Sequence, residues 1–501
     1  MLRYFYSIAL VLALAVSSWA QNPMLRSYPR PVMTKAVQEI LTTRAKLSPR
    51  LADEVELPSS VDNSKTIYFP PVLMQQGGSC AQASGIGYMF TYEINRLLGR
   101  DAKVPENRFS YAFTWNFVND GEDTGGFVEQ GLYIAQQYGI MTEADFGSFN
   151  SPSFRWASGF DKYLNAMRYR AGEILTIEAG TEQGLKLLKR YLYDACDGSH
   201  PGGIATYSTT STDWAINNQY EGSSATGYHS QLIRLATEGS HALTIVGYDD
   251  LVEFKAPDGK LHRGALIICN SWGSASHDKG RFYLPYYFFL HPESVPDKGY
   301  LDTNCTAVRV YTHEPKVVAR VNMSYSSRDD LNMTCGFAMD RNATSAANSG
   351  TFGIFKNQGG DHKLAGLYSA LTNFEFAVDY TNKFTDIDSQ NPARYFFNVI
   401  CYRHGKKLGE GTMNALSVID YRGDTPRIYT CKMPEGGYPL QVGRNTFTIN
   451  TLPRFVMSAS NTRLRADGQT TYIVRTANNK YKKLLFVENL DGTINLMYED
   501  I

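Results

Sequence analysis

Three side chains of this sequence supply, in order along the chain, a nucleophile, a base and an orienting amide: Cys80, His241 and Asn270. Cys80 closes the run Pro71-Val72-Leu73-Met74-Gln75-Gln76-Gly77-Gly78-Ser79-Cys80, and the residues after it, Ala81 to Phe90, lengthen into a helical pattern. A thiol at the start of a helix meets unpaired N–H groups and the positive end of the helix dipole, both of which favour thiolate. The glycines before it let the backbone approach an acyl group, so the Cys80 N–H can help to bind an oxyanion. His241 opens one apolar β-run, ending at Val246-Gly247-Tyr248, and Asn270 follows another, Leu266 to Cys269. A nucleophile needs a base, and the base needs a group that fixes its orientation. Cys, His and Asn in this order can carry out acyl transfer to water through a covalent intermediate, with no metal or organic cofactor required.

These segments resemble those of the papain family of cysteine peptidases. The carriers of the resemblance are the Pro71-Val72-x-x-Gln75 loop before the nucleophile, the His241-Ala242 strand ending in Val246-Gly247-Tyr248, and Asn270-Ser271-Trp272-Gly273, with Gly125-Gly126-Phe127 between them. The resemblance implies that Cys80 is the nucleophile, His241 the base and later the acid, and Asn270 the group holding the imidazole. It implies an imidazolium–thiolate pair and polypeptide substrates. Gln75 would supply the side-chain half of the oxyanion hole. Gln76 competes for that role, because the Gln75-to-Cys80 spacing is one residue shorter than the family's and Gln76 directly precedes the glycines. Gly125 and Gly126 would line the substrate backbone, and Trp272 would stand at the substrate site and shield the His–Asn bond. The chain departs from the family at Ala81, where an aromatic residue is usual, and at Gly77, where a cysteine is usual.

The likeness spans residues 57–313 and implies an α+β domain, a two-lobed papain-like catalytic domain with an α-rich lobe, a β-rich lobe and a cleft between them. Two other readings compete with a peptidase. A papain-fold binding protein without turnover draws on Ala81 and the shortened loop, although Cys, His and Asn are all present. Transglutaminase-like acyl transfer would place an aspartate where Asn270 stands.

The elements that must position these residues are legible from periodicity. Residues 80–98 read as one helix with Ile86, Met89, Phe90, Ile94, Leu97 and Leu98 on its apolar face and Gly99 as its C-cap. Residues 107–119 and 128–138 read as further helices, 169–177 and 203–208 as strands, and 185–195 as a helix. Residues 222–238, polar and rich in Ser and Gly at first, read as an insertion just before His241.

With 501 residues the chain is too long for one core, so two or three domains are expected. Its 49 basic and 49 acidic residues cancel, which argues against a nucleic-acid partner. Residues 1–20 read as a signal peptide, with Arg3, an apolar run from Ile8 and Ser18-Trp19-Ala20 before the cut. That reading predicts an exported protein, extracellular, periplasmic or on the cell surface, with no transmembrane segment. Residues 21–56 form a short N-terminal arm or pro-segment with one helical pattern, Thr34 to Lys46, whose face carries Ala36, Ile40 and Leu41. Of seven cysteines, six remain if Cys80 is free, and the equal Cys305–Cys335 and Cys401–Cys431 spacings permit disulfides without requiring them.

Residues 314–452 change to short alternating runs separated by turns, which predicts an all-β sandwich-like domain, and 453–501 a terminal β-rich segment. That region carries no phosphate loop and no metal-ligand spacing. It is a candidate for binding a partner protein or a glycan.

Overall fold

The structure is a computed structural model and describes residues 28, 30–48, 55–119, 123, 125–147, 156–352, 362–366, 371–403, 408–423, 425–451, 467–475, 481–488 and 494–500. The signal-peptide reading falls outside these residues. The chain divides into two compact units, the first comprising essentially the residues up to Glu314 and the second essentially those from Pro315 onward. Helices and sheets are mixed in the first unit, and strands dominate the second. No helix among the described residues is long and apolar enough to cross a membrane.

The first unit is built on a ten-stranded sheet. Its strands run in the spatial order Ala45–Lys46, Tyr169–Glu178, Asn304–Thr312, Ala205–Thr209, His241–Lys255, Leu261–Cys269, Arg281–Pro285, Gln231–Arg234 and Ala215–Asn217. Ser60–Asp62 pairs additionally with the long His241–Lys255 strand. Gly247 on that strand permits the pairing, because a Cβ there would sit 2.0 Å from the Val61 carbonyl oxygen. The helix Glu182–Asp194 buries Leu185, Leu188, Tyr191 and Leu192 in a cluster with Ile245, Leu266, Ile268 and Phe282 of the sheet. Fully burying such side chains contributes about 1.5–3 kcal/mol each.

The expected helix from Cys80 is present as one rod, Cys80–Gln82, Ala83–Phe90 and Thr91–Leu98, its middle section wound as a wider π-helix. Ala83, Ser84, Gly85 and Gly87 make up half of that section, and Thr91 bonds back to the Ile86 carbonyl five residues earlier at 3.1 Å. Ile86, Met89, Phe90 and Ile94 are buried as expected, but Leu97 and Leu98 are exposed. The wider turn rotates the face, and the rod leaves the core before its last turn. Gly99 ends it at φ +65°, the left-handed C-cap. Gly85 lets the helix Val128–Gln137 cross closely, since a Cβ would meet a Val128 methyl at 2.7 Å.

The arm differs from its expectation. Its helix stops at Thr42, with Thr34 as N-cap, and Ala45–Lys46 leaves it as a parallel strand on Tyr169–Glu178. The buried face is Val37 and Ile40, and Ala36 is exposed. The residues before His241 are not a plain loop: Ala215–Asn217 and Gln231–Arg234 form a hairpin that extends the sheet beside Arg281–Pro285.

In the second unit one antiparallel sheet orders Phe374–Asp379, Val317–Tyr325, Gly411–Asp420 and Arg427–Thr430, with Tyr438–Pro439 also on Gly411–Asp420. Another orders Asn348–Phe352, Leu331–Ala338, Arg394–Cys401 and Gly443–Asn450. From Ala319 on, Ala319, Val321, Met323 and Tyr325 alternate inward along their strand, the period expected of a sheet with one buried face, while Val317 and Val318 at its start are both buried. Asp467–Arg475, Tyr481–Glu488 and Ile494–Asp500 make a three-stranded meander. All seven cysteines are free thiols, so the permitted disulfides are not made.

Candidate active site

Two loops carry the Gln75–Cys80 run and the Asn270–Gly273 run, and they are zipped together. Met74 and Trp272 form an antiparallel bridge, the Gln75 N–H donates to the Ser271 carbonyl at 2.7 Å, and the Gly273 N–H donates to the Leu73 carbonyl at 2.8 Å. Tyr88, fully buried on the Cys80 helix, clamps both: its hydroxyl donates to the Asn270 carbonyl at 2.9 Å and accepts from the Leu73 N–H at 2.7 Å. Helix and base strand are tied through the Ser84 and Thr244 hydroxyls, 2.7 Å apart. Elements remote in sequence are thereby held in one rigid frame.

Within this frame His241 and Asn270 meet, and Cys80 receives the N–H of Ala242, the residue after His241. His241 Nε2 lies 2.8 Å from Asn270 Oδ1, with both residues buried. The same oxygen accepts the Ser271 N–H at 2.8 Å, which identifies it as the carbonyl oxygen of the amide. His241 must then donate from Nε2, leaving the Nδ1 lone pair as its basic site. Cys80 heads its helix, and the N–H groups of Ala242, Ala81 and Cys80 itself point to its sulfur. Burial nonetheless outweighs these donors, and the nearby Asp123 adds to it, so the thiol pKa is raised. Burial also brings His241 down to about 4, against a smaller upward pull from its Asn270 bond. Burial thus acts against charge on both groups, raising the Cys80 thiol and lowering the His241 imidazole. Cys269 is fully buried, its thiol donating to the Asn270 carbonyl oxygen at 3.8 Å, and that burial pushes its pKa up to about 11.

Trp272 stacks on the His241 ring at 4.7 Å and 19°, over the His–Asn bond. Gln75 Oε1 accepts from the Ser271 hydroxyl at 2.6 Å, and its Nε2 donates to the Gly77 carbonyl at 2.9 Å, which orients its amide beside the Cys80 loop. Gly125 (φ +81°) and Gly126 line a cavity of about 190 Å³ together with Ala242, Tyr300 and Cys80.

Three further features surround these residues. Trp214, immediately before the Ala215–Asn217 strand, packs against His241, Trp272 and Phe282. His277 sits behind Asn270, its Nε2 3.1 Å from Asn270 Nδ2. The arm crosses the same cavity: Tyr28, Arg30, Pro31, Met33, Leu41 and Arg44 line it. Tyr28 donates to Asp123 at 2.7 Å, Asp123 accepts the Gly78 N–H at 2.6 Å, and Arg30 stacks over Tyr300 at 4.7 Å. Further along, Arg44 pairs with Glu129 at 3.0 Å and Leu47 enters the core cluster. Tryptophan after a polar stretch and an unusual His seven residues past Asn270 were the only signals of the first two.

Among the described residues no group of His, Cys, Asp and Glu side chains is arranged to hold a metal ion.

No family model matches the chain, and no curated protein matches it. Solved structures similar to it are papain-like cysteine proteases. They include xylellain, a cysteine protease from Xylella fastidiosa, 18% identical over 56% of this chain and 95% of that one, with a TM-score of 0.38. A procathepsin B from Trypanosoma congolense is 16% identical over 52% of this chain and 81% of its own, with a TM-score of 0.33. The bromelain protease from Ananas comosus is 15% identical over 50% of this chain and 99% of its own, with a TM-score of 0.32.

Proposed function

We propose that this chain is an exported cysteine peptidase that hydrolyses peptide bonds through Cys80, His241 and Asn270. The observation that carries the reading is the buried His241 Nε2–Asn270 Oδ1 bond, whose base strand also places the Ala242 N–H on the Cys80 sulfur. The Nδ1 lone pair of His241 takes the Cys80 proton as the sulfur attacks the scissile carbonyl. The Cys80 N–H and the Gln75 Nε2 hold the oxyanion. His241 then protonates the leaving amine, and afterwards activates water to release the acyl group from sulfur. Asn270 orients the imidazole without carrying charge. The thiolate–imidazolium pair forms as His241 takes the thiol proton. Gly125 and Gly126 present backbone to an extended substrate, and the arm segment 28–33 lies on that path.

The domain plan follows: a signal peptide at 1–20, an arm at 21–56, a two-lobed catalytic region at 57–313, a sandwich-like region at 314–452 and a terminal β segment. The last two would recruit a protein or glycan.

The test is labelling with an epoxide directed at papain-like thiols, beside cleavage of an unbiased peptide library. Stoichiometric label on Cys80, and loss of cleavage in Cys80→Ala, is the expected result. An unlabelled Cys80 with no cleavage, unchanged after removal of residues 21–33, would hand the chain to the binding-protein reading.

A further inference from the structure

We propose that His277 is a positioning residue for this site: its Nε2 lone pair accepts from Asn270 Nδ2 and thereby fixes the tautomer of His241. The inference rests on the peptidase reading for its purpose, but its geometry stands independently.

The argument is one of donors and acceptors. Asn270 is completely buried, and its amide has one acceptor and one donor end. The acceptor end, Oδ1, is taken by the Ser271 N–H at 2.8 Å and by His241 Nε2 at 2.8 Å. The donor end, Nδ2, faces His277 Nε2 at 3.1 Å. That contact is a hydrogen bond only if His277 Nε2 carries no proton, which places the His277 proton on Nδ1. Burial lowers His277 to about 4, so the ring is neutral at neutral pH.

Three groups are thus locked in sequence. The His277 lone pair holds Nδ2; Oδ1 is then turned to His241; His241 must put its proton on Nε2; and Nδ1 is left free to take the thiol proton. Without an acceptor at position 277, the buried Nδ2 loses its partner, and the amide no longer prefers one orientation by the same margin. With the amide turned over, Nδ2 faces His241, whose proton moves to Nδ1, and the base is disabled.

The backbone supports a role beyond packing. His277 holds φ +50°, in the left-handed region, where a non-glycine residue is strained by roughly 1 kcal/mol or more. The imidazole is wedged against Phe282 at 5.1 Å and Trp214 at 6.1 Å, which keeps its Nε2 aimed at Asn270. A glycine would satisfy the turn without strain, yet a histidine stands there.

The experiment uses the full chain with ¹⁵N-labelled histidine, His241 and His277 being assigned through His241→Gln and His277→Gly. In the unsubstituted protein His241 is expected in the Nε2–H form and His277 in the Nδ1–H form. In His277→Gly, which also relieves the strained φ, the His241 signals move toward a mixture of tautomers. Loss of one buried hydrogen bond to Asn270 corresponds to about a tenfold fall in kcat with KM unchanged. In an Asn270→Ala background, His277→Gly lowers kcat no further. A protonated Nε2 on His277, an unaltered His241 tautomer in His277→Gly, or an equal fall in kcat with and without Asn270 would overturn the proposal. If the chain cleaves no peptide, the peptidase reading falls, and the tautomer spectra by themselves decide the role of His277.

Discussion

Removing the arm segment up to Met33 is predicted to raise activity. The segment crosses the cavity that contains Cys80, with Tyr28 bonded to Asp123 and Arg30 over the Tyr300 ring. The exposed hydroxyl–carboxylate bond contributes about 1 kcal/mol, and the cation–π contact about 0.5–1 kcal/mol. Met33, 47% exposed, adds little. The sum, about 2 kcal/mol, corresponds to roughly a 30-fold preference for the covered state. A substrate that binds only the open state is weakened by the same factor, so kcat/KM should rise by up to about 30-fold on truncation. The cut leaves the Thr34 cap, the Arg44–Glu129 pair and Leu47 in place, so the fold is preserved. Tyr28→Phe alone should give about a fivefold rise. The assay is kcat/KM on the best library peptide, with thermal melting run alongside. An unchanged or lower kcat/KM in a truncated protein of normal stability would refute the reasoning and make the segment a wall of the site, not a cover.

Gln75→Ala should lower kcat by about 10²–10³-fold, the cost of one oxyanion donor, whereas Gln76→Ala should leave it nearly unchanged; the reverse result would move the role to Gln76. His241 is held near 4 in the folded chain, below its ordinary 6.5, so the unfolded chain binds the extra proton between those values. Stability is therefore complete above about pH 6.5 and falls as pH drops toward 4, by on the order of 3 kcal/mol from His241; urea midpoints that stay flat across that window in the full chain, or that fall equally in His241→Gln, would count against it. Because burial raises the Cys80 thiol and lowers the His241 imidazole, alkylation of Cys80 by iodoacetamide should rise with pH into the alkaline range, and a fast plateau already reached near pH 5 would show a resting ion pair instead. Gly247→Ala should fail to fold or lose the Ser60–Asp62 pairing, since its Cβ meets the Val61 carbonyl; a normal melting temperature would disprove the close approach.

Much of the site could be read from local patterns. Cys80 at a loop-to-helix junction, His241 at the head of an apolar strand and Asn270 at the tail of another are each set by neighbours within a few residues, where periodicity and turn chemistry act. The same locality explains the misses. Leu97 and Leu98 looked buried on an ideal 3.6-residue period, but a π-wound section turns them out. The arm looked like one helix to Lys46, but its last residues gain more by pairing with Tyr169–Glu178, an edge far along the chain.

What joins distant segments lay beyond any local pattern. Tyr88 clamping the Asn270 and Leu73 backbones, Trp214 against His241, and the arm across the Cys80 cavity are each contacts between segments that no single periodic run contains. The burial of the pair belongs with them: residue types offered a thiolate and an imidazolium, and burial acts on each group in the opposite direction. His277 shows the division most clearly. Its identity is written in the chain, but which of its nitrogens carries the proton follows only from where the fold puts Asn270 Nδ2.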